Sequence, residues 1–277
     1  MKLGTIVRIT HPSQAQAKFA ELRSYGFESC QLSYKPAVHD LSEAPIIRAA
    51  ADAEGIEISA MSAGYNDGYT VWDNYYGFLT AGFNIEATRL SRMEYSKHAM
   101  EFANALGITD VFIHAGYIPN NPFAPEYASM LAVIEHLSRH AQRLGINILF
   151  ETGGESPVSL LRLIQDIGRD NLFVNLDPAN FLMYGFGNPV DALYTIGKYV
   201  RNIHGKDGMP PTDPRKLGRE MPVGEGLVDF RAMFTKLHEL GYDRFITIER
   251  EIAGDQQTAD ILKAKAYFEK LLAEIYV

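Results

Sequence analysis

The sequence predicts an α/β fold, a closed (β/α)8 (TIM) barrel that uses the chain 1–277 as a single domain. Three observations predict it. Short apolar runs alternate with segments of helical periodicity eight times along the chain. A glycine closes the helical stretch ahead of five of those runs. The length of 277 residues is close to the roughly 250 that one such barrel takes.

The apolar runs are 3–9, 29–32, 56–61, 110–114, 146–151, 172–177, 200–204 and 245–249. Stretches such as Val111-Phe112-Ile113 and Ile146-Asn147-Ile148-Leu149-Phe150 read as strands buried on both faces, the pattern of parallel strands covered by helices. Between them, Met93, Met100, Ala103 and Leu106 mark one helical stripe, and Leu131, Ile134, Leu137, Ala141 and Leu144 mark another. Ser156-Pro157 and Asn188-Pro189 read as an N-cap followed by proline in the first helical position, and Asp229 as a further N-cap. Gly26, Gly55, Gly107, Gly145 and Gly241 each precede Phe27, Ile56, Ile108, Ile146 or Tyr242. Glycine there ends a helix in the left-handed conformation without steric cost, so five uses of one device predict five copies of one αβ unit.

Two connections are too long for ordinary turns. The segment 63–88 is rich in Gly, Tyr and Asn and holds the single tryptophan, Trp72; the segment 207–228 is rich in Pro and Gly. Both follow strands, so both belong on the C-terminal face, where barrels place their sites.

Composition narrows the function classes. Hydrophobic residues make up 47% and charged residues 22% of the chain, enough for a large core. The formal net charge is -8 and there is no Lys/Arg block, which argues against nucleic acid as a partner. A single cysteine, Cys30, permits no internal disulfide and fits a reducing compartment; within a strand it reads as a buried, inert thiol. No stretch approaches 18 uninterrupted apolar residues and the N-terminus lacks a secretory pattern, so a cytoplasmic protein without a membrane partner is expected.

The chemistry sits at the ends of the last four strands. They end in Glu151, Asp177, His204 and Glu249, separated by 26, 27 and 45 residues. The first two spacings match one βα unit, and the third contains the long segment 207–228. In a barrel these side chains converge over the mouth. Three carboxylates gathered at low dielectric repel one another and would neutralise unless a cation joins them. Three carboxylates and one imidazole suit one divalent metal ion, Mn²⁺ foremost, with Mg²⁺, Co²⁺ or Zn²⁺ also fitting. Such an ion polarises a carbonyl and stabilises an enediolate, while Glu151 and Glu249 act as acid and base on a neighbouring carbon. Taken singly, each residue has a plainer reading: a solvated acid, a turn opened by Asp177 before Pro178, a packed histidine. The metal reading rests on four successive strands ending alike.

Further candidates for substrate contact surround these four. His114 ends the fourth run beside Glu151. Lys206 is placed to neutralise an oxyanion, or else to pair with Asp207. Arg219 in the segment 207–228 is placed to clamp a hydroxyl or phosphate, or else is an exposed charge. Trp72, with Tyr65, Tyr69, Tyr75 and Tyr76, offers a stacking wall for a sugar, or else packs an interface. Glu225, between Gly224 and Gly226, reads as shaping its loop.

At Phe112-Ile113-His114-Ala115-Gly116, Phe150-Glu151, Leu176-Asp177-Pro178-Ala179-Asn180, Ile203-His204-Gly205-Lys206-Asp207, Pro222-Val223-Gly224-Glu225-Gly226-Leu227-Val228-Asp229-Phe230 and Ile248-Glu249, the chain resembles the xylose isomerase-like barrel superfamily, in its sugar phosphate isomerase/epimerase group. The resemblance covers the full chain. It implies a (β/α)8 barrel with a divalent metal, often Mn²⁺, held at Glu151, Asp177, His204 and Glu249, with the two glutamates transferring protons. It implies substrate contacts at His114 and Lys206, and allows a homo-oligomer. Asn180 departs from the histidine common three residues after the aspartate, which argues against a multinuclear zinc site while leaving Asn180 a substrate-site position.

The expectation is therefore an enzyme, a metal-dependent isomerase or epimerase of a small sugar or polyol, phosphorylated or not. Alternatives are a metal-dependent lyase of the inosose dehydratase type and a non-catalytic sugar-binding barrel. Phosphodiester hydrolysis at abasic DNA would need more metal-binding histidines and a basic groove, and both are missing.

Overall fold

Eight parallel strands close on themselves in the computed structural model, which describes every residue except Ala37, Val38, Asn66, Asn84 and Val277. The strands are β1 (Lys2–Val7), β2 (Ser29–Ser33), β3 (Glu57–Ser62), β4 (Asp110–Ile113), β5 (Asn147–Glu151), β6 (Leu172–Leu176), β7 (Val200–Gly205) and, after a two-stranded excursion, β10 (Phe245–Ile248). Around the barrel the order is β1-β10-β7-β6-β5-β4-β3-β2. The helices that cover it are α1 (Ala15–Ser24), α2 (Ala44–Glu54), α4 (Glu86–Leu106), α5 (Pro125–Arg143), α6 (Pro157–Ile167), α8 (Pro189–Ile196), α9 (Phe230–Glu239) and α10 (Asp255–Ile275). The short helices α3 (Gly77–Thr80) and α7 (Pro178–Tyr184) sit in the loops after β3 and β6.

All five glycines read as helix stops have positive φ, between 65° and 75°. Ser156, Asn188 and Asp229 each accept a backbone N–H of the helix they open. The apolar core lies between the outward strand faces and the helices. The barrel interior is more polar: Gln31 donates to Asn175 at 3.0 Å, Asn202 to Ser59 at 3.1 Å and Thr247 to Asn202 at 3.3 Å, all buried. Strand alternation places Asn175, Asn202 and Thr247 two residues before Asp177, His204 and Glu249, one layer below the rim.

Two expectations need correction. The segment 207–228 is not a plain loop: β8 (Asp207–Met209) and β9 (Arg219–Met221) pair antiparallel inside it. The segment 63–88 contains α3, and α4 begins two residues before its end; its Asn66 and Asn84 lie outside the described residues. That segment is pinned by Arg92 of α4, whose guanidinium is fully buried. It reaches Asp67 Oδ2 at 2.8 Å and Gly82 O, Thr70 Oγ1 and Thr80 O at 2.7 Å each, and lies over the Tyr65 ring. Asp73 accepts the backbone N–H groups of Tyr75, Tyr76 and Gly77, and Asn74 donates to Lys216 O, joining this loop to the one after β7.

Candidate metal centre

Four strand ends bring their side chains to one point. Glu151 is the last residue of β5, Asp177 follows β6, His204 is the fifth residue of β7 and Glu249 follows β10. One ligand-type atom from each lies within 4.8 Å of the other three. His204 Nδ1 stands at the middle, 3.2 Å from Glu151 Oε1, 3.1 Å from Glu249 Oε2 and 3.6 Å from Asp177 Oδ2. Its other nitrogen, Nε2, is 2.8 Å from Gln31 Oε1 and 3.0 Å from Asn175 Nδ2. When Nε2 donates to Gln31, Nδ1 keeps a lone pair directed at the carboxylates, the arrangement that orients a ligating histidine.

Asp177 divides its two oxygens. Oδ1 caps α7 by accepting Asn180 N at 2.9 Å, so the turn-opening reading before Pro178 is realised in the same residue. Oδ2 is buried without a hydrogen-bond partner, and so is His204 Nδ1. Thr152 fixes the Asp177 backbone from both sides, donating to its carbonyl at 2.9 Å and accepting its N–H at 2.8 Å. Two buried atoms without a hydrogen bond, amid three carboxylates, fit a cation that would bind them.

The charges around this point are tightly linked. Burial alone would push Glu151 and Glu249 towards neutrality. For Glu151 the facing His114 and His204 outweigh burial and hold it well below the usual carboxylate range; for Glu249 Lys206 and His204 bring it to about 2. Burial likewise disfavours a charged His204, but Glu249 and Glu151 overcome it and raise its pKa. His114 Nε2 is 3.0 Å from Glu151 Oε2, and its pKa rises because that carboxylate outweighs burial. Glu151 thus presents Oε1 to His204 and Oε2 to His114.

Lys206 lies almost wholly buried among carboxylates, 3.3 Å from Asp177 Oδ2, 3.2 Å from Glu249 Oε2 and 2.5 Å from Glu251 Oε1. It does not pair with Asp207. Asp207 instead accepts the N–H groups of Gly208, Gly224, Gly226 and Val228, so the Gly224-Glu225-Gly226 turn wraps a buried carboxylate. A Cβ at Gly226 would collide with that carboxylate, which is why the turn needs glycine. Glu225 points away and pairs with Lys263.

A cavity of about 210 Å³ opens above the cluster, lined by His114, Glu151, Asn180, Glu249 and Trp72 among others. The Trp72 ring sits 4.9 Å from the His114 ring. Asn180 spends its side chain on Thr152 O and on Lys206. Arg219 is not brought here: it lies exposed on β9, because the antiparallel pairing of β8 and β9 carries it outward, and it does not line the cavity. Sequence reasoning missed Glu251, which binds Lys206, and Gln31 and Asn175, which hold His204. A polar residue inside an apolar strand, as in Cys30-Gln31-Leu32 and Val174-Asn175-Leu176, was the available signal. The buried, raised pKa of Cys30 agrees with an inert thiol. Among the described residues, no helix is long and apolar enough to cross a membrane.

Comparison with known proteins agrees with this fold. Residues 19–271 match the family described as xylose isomerase-like TIM barrel. The crystal structure of a xylose isomerase domain protein from Planctomyces limnophilus superposes with a TM-score of 0.87 at 31% identity, covering 99% of this chain and 98% of that one. A D-tagatose 3-epimerase-like protein superposes with a TM-score of 0.77 at 21% identity, over 100% of this chain and 98% of that one, a likeness of fold. The 2-oxo-tetronate isomerase of Haemophilus influenzae is 24% identical over 170 residues, 58% of this chain and 62% of that protein. The chain spans less than two thirds of the length of the curated relatives it matches.

Proposed function

The chain belongs to the xylose isomerase-like TIM barrel family, and from that premise we propose that it is a divalent-metal-dependent sugar isomerase or epimerase, moving a proton on a carbon beside a carbonyl. The observation that carries this reading is the convergence of three carboxylates and one imidazole, one ligand-type atom from each within 4.8 Å of the other three, with Asp177 Oδ2 and His204 Nδ1 buried there without a hydrogen bond. Glu151, Asp177, His204 and Glu249 would hold the ion, and oxygen-rich ligation of this kind favours Mn²⁺ or Mg²⁺. When bound, it would polarise the substrate carbonyl and offset the negative charge of an enediolate.

The rest of the chemistry falls to the chain's own residues. Glu249 has Oε2 tied to His204 and Lys206, while its other oxygen has no hydrogen-bond partner among the described residues and Glu249 lines the cavity. That oxygen suits a base taking a proton from a substrate carbon. Glu151 stands three strands away around the barrel with His114 on its outer oxygen, so it approaches from the other side and can return a proton through that pair. Lys206 offsets the charge of the carboxylate group without lining the cavity. Trp72 closes one wall over His114 and keeps water from the reacting carbon.

The relatives named for sugar epimerisation and for 2-oxo-tetronate isomerisation support the substrate class. The test is elemental analysis of the purified chain, followed by incubation with ketoses and 2-oxo sugar acids in D₂O. The expected result is one bound divalent ion per chain and solvent deuterium at one carbon of a product with otherwise unchanged composition. Loss of water from the product, or exchange that persists after chelation and in Glu249→Gln, would overturn the reading.

A further inference from the structure

Hydrogen-bond donors without protein partners line the part of the rim formed by β1, β2 and β3. Around the ring, Glu151, Asp177, His204 and Glu249 occupy the four consecutive strands β5, β6, β7 and β10, and β1 stands four strands from β5, straight across the mouth. On the opposite half, Arg8 follows the end of β1, Ser33 ends β2 and Ser62 ends β3. The registers put them side by side: Val7 pairs with Leu32, which sets Arg8 beside Ser33, and Ser33 pairs with Ser62. Strand alternation turns all three inward, since each lies two residues beyond an inward residue, Ile6, Gln31 or Ala60. All three line the 210 Å³ cavity.

None of these donors is used by the protein. Among the described residues Arg8 has no ion pair and no hydrogen bond, the Ser33 hydroxyl has no partner, and the Ser62 hydroxyl only accepts Gly64 N at 3.4 Å, leaving its O–H free. The contrast with the other cations near the mouth is plain. Lys206 is neutralised by three carboxylates, and Arg250 by Glu220 and Asp260. A guanidinium left without a carboxylate, next to two hydroxyls on adjacent strands, is a donor set for an anion, which a planar fork binds through two parallel hydrogen bonds.

We infer that Arg8, with Ser33 and Ser62, holds a terminal anionic group of the substrate, a carboxylate or phosphate, while the substrate's carbonyl end lies at the metal cluster across the barrel. The inference rests on the proposed function for its second half and deepens it by naming the substrate as a short acidic sugar derivative. The cavity is smaller than the roughly 300–1,000 Å³ of sites for drug-sized ligands, which agrees with a short chain. An adjoining space of about 310 Å³ between β1, β10, α1 and α10 shares Arg8, Glu249 and Glu251.

The test measures binding, not turnover. Trp72 is the single tryptophan and lines the same cavity, so its fluorescence reports occupancy. The full chain is titrated with threonate, erythritol 4-phosphate and neutral threitol, once with Mn²⁺ and once with a chelator. Arg8→Gln is expected to weaken at least one of the two anions by about tenfold, as loss of a hydrogen bond to a charged group implies, and threitol by less than about twofold. Arg8→Lys is expected to recover part of the loss. A loss confined to threonate identifies a carboxylate, and one confined to the phosphate identifies a phosphoryl group. If neither anion binds the wild-type chain, or if Arg8→Gln leaves both anions unchanged or weakens threitol equally, the inference is overturned. An Arg8-dependent preference that persists under chelation upholds it even where the metal reading fails.

Discussion

The barrel carries two charged clusters, one at each end, and they are built on opposite principles. At the N-terminal end Asp110 is buried at the start of β4, with Arg201 of β7 on both its oxygens at 3.1 and 3.2 Å. Arg244 lies at 3.5 Å, and Asn147 and Thr109 also donate to it. One carboxylate meets two guanidiniums, an amide and a hydroxyl, so its lone pairs are satisfied. At the C-terminal end three carboxylates crowd one histidine, and two buried atoms make no hydrogen bond. The lower cluster is complete without a ligand and serves stability. The upper one is short of positive charge, and that deficit is what a divalent ion would fill.

The contrast is sharpest in activity. Glu249→Gln keeps the shape of the upper cluster but removes a base, and solvent deuterium exchange should fall by about 10²–10⁴-fold. Asp110→Ala should do the reverse. It should leave exchange per folded molecule unchanged and cost about 3 kcal/mol of unfolding free energy, the lower end for a broken buried pair, because Arg201 and Arg244 retain partial access to water. Urea unfolding of both variants decides it, and equal stability losses at the two ends would erase the distinction.

Metal addition separates the clusters in a second way. A ligand that binds only the folded chain adds about 2.7 kcal/mol at one hundred times its dissociation constant. Mn²⁺ should therefore raise the melting temperature of the wild type and of Asp110→Ala alike. Asp177→Asn removes a negative charge from the cluster, and its melting temperature should not respond to Mn²⁺. A full response in Asp177→Asn would show that the ion binds elsewhere.

Much of this was legible in the sequence because it follows from periodicity. The alternation of apolar runs and glycine stops specifies the barrel, and residues at the ends of successive buried strands must converge when the sheet closes; Glu151, Asp177, His204 and Glu249 needed no more than that. What lay outside sequence reach depends on which way a side chain turns after its strand ends. Lys206 and Asp207 are neighbours, and pairing between them is one of the two readings the sequence offers, yet one lies among other carboxylates and the other inside the Gly224–Gly226 turn. Arg219 shares the long segment with Asp207, but the β8–β9 pairing carries it out of the cavity. Arg8, Ser33 and Ser62 went unread because a guanidinium or hydroxyl at a strand end is ordinary until the register shows the three side by side.

The tension at the upper end extends one step beyond the cluster, to Glu155. This residue follows β5 by four positions, is 3% exposed, and accepts Gly153 N at 3.2 Å with no cation bonded to it among the described residues. Burial pushes its carboxyl from 4.5 up to about 8; the Gly153 N–H and His114 oppose that rise and the Glu151 carboxylate adds to it. A folded-state pKa above the unfolded one means that the folded chain holds a proton the unfolded chain has released. Stability from this group is therefore fully present below pH 4.5 and is lost as the pH rises to about 8, at about 1.4 kcal/mol for each unit inside that window. Glu155→Gln, which cannot ionise, should lose this contribution to the slope. Urea midpoints at pH 6 and 7, taken under chelation so that metal binding does not add its own pH dependence, should fall more steeply for the wild type than for the variant. Asp110, whose carboxylate already has its cations, provides the contrast, and a wild-type slope no steeper than that of Glu155→Gln would place Glu155 with the satisfied groups of the lower end.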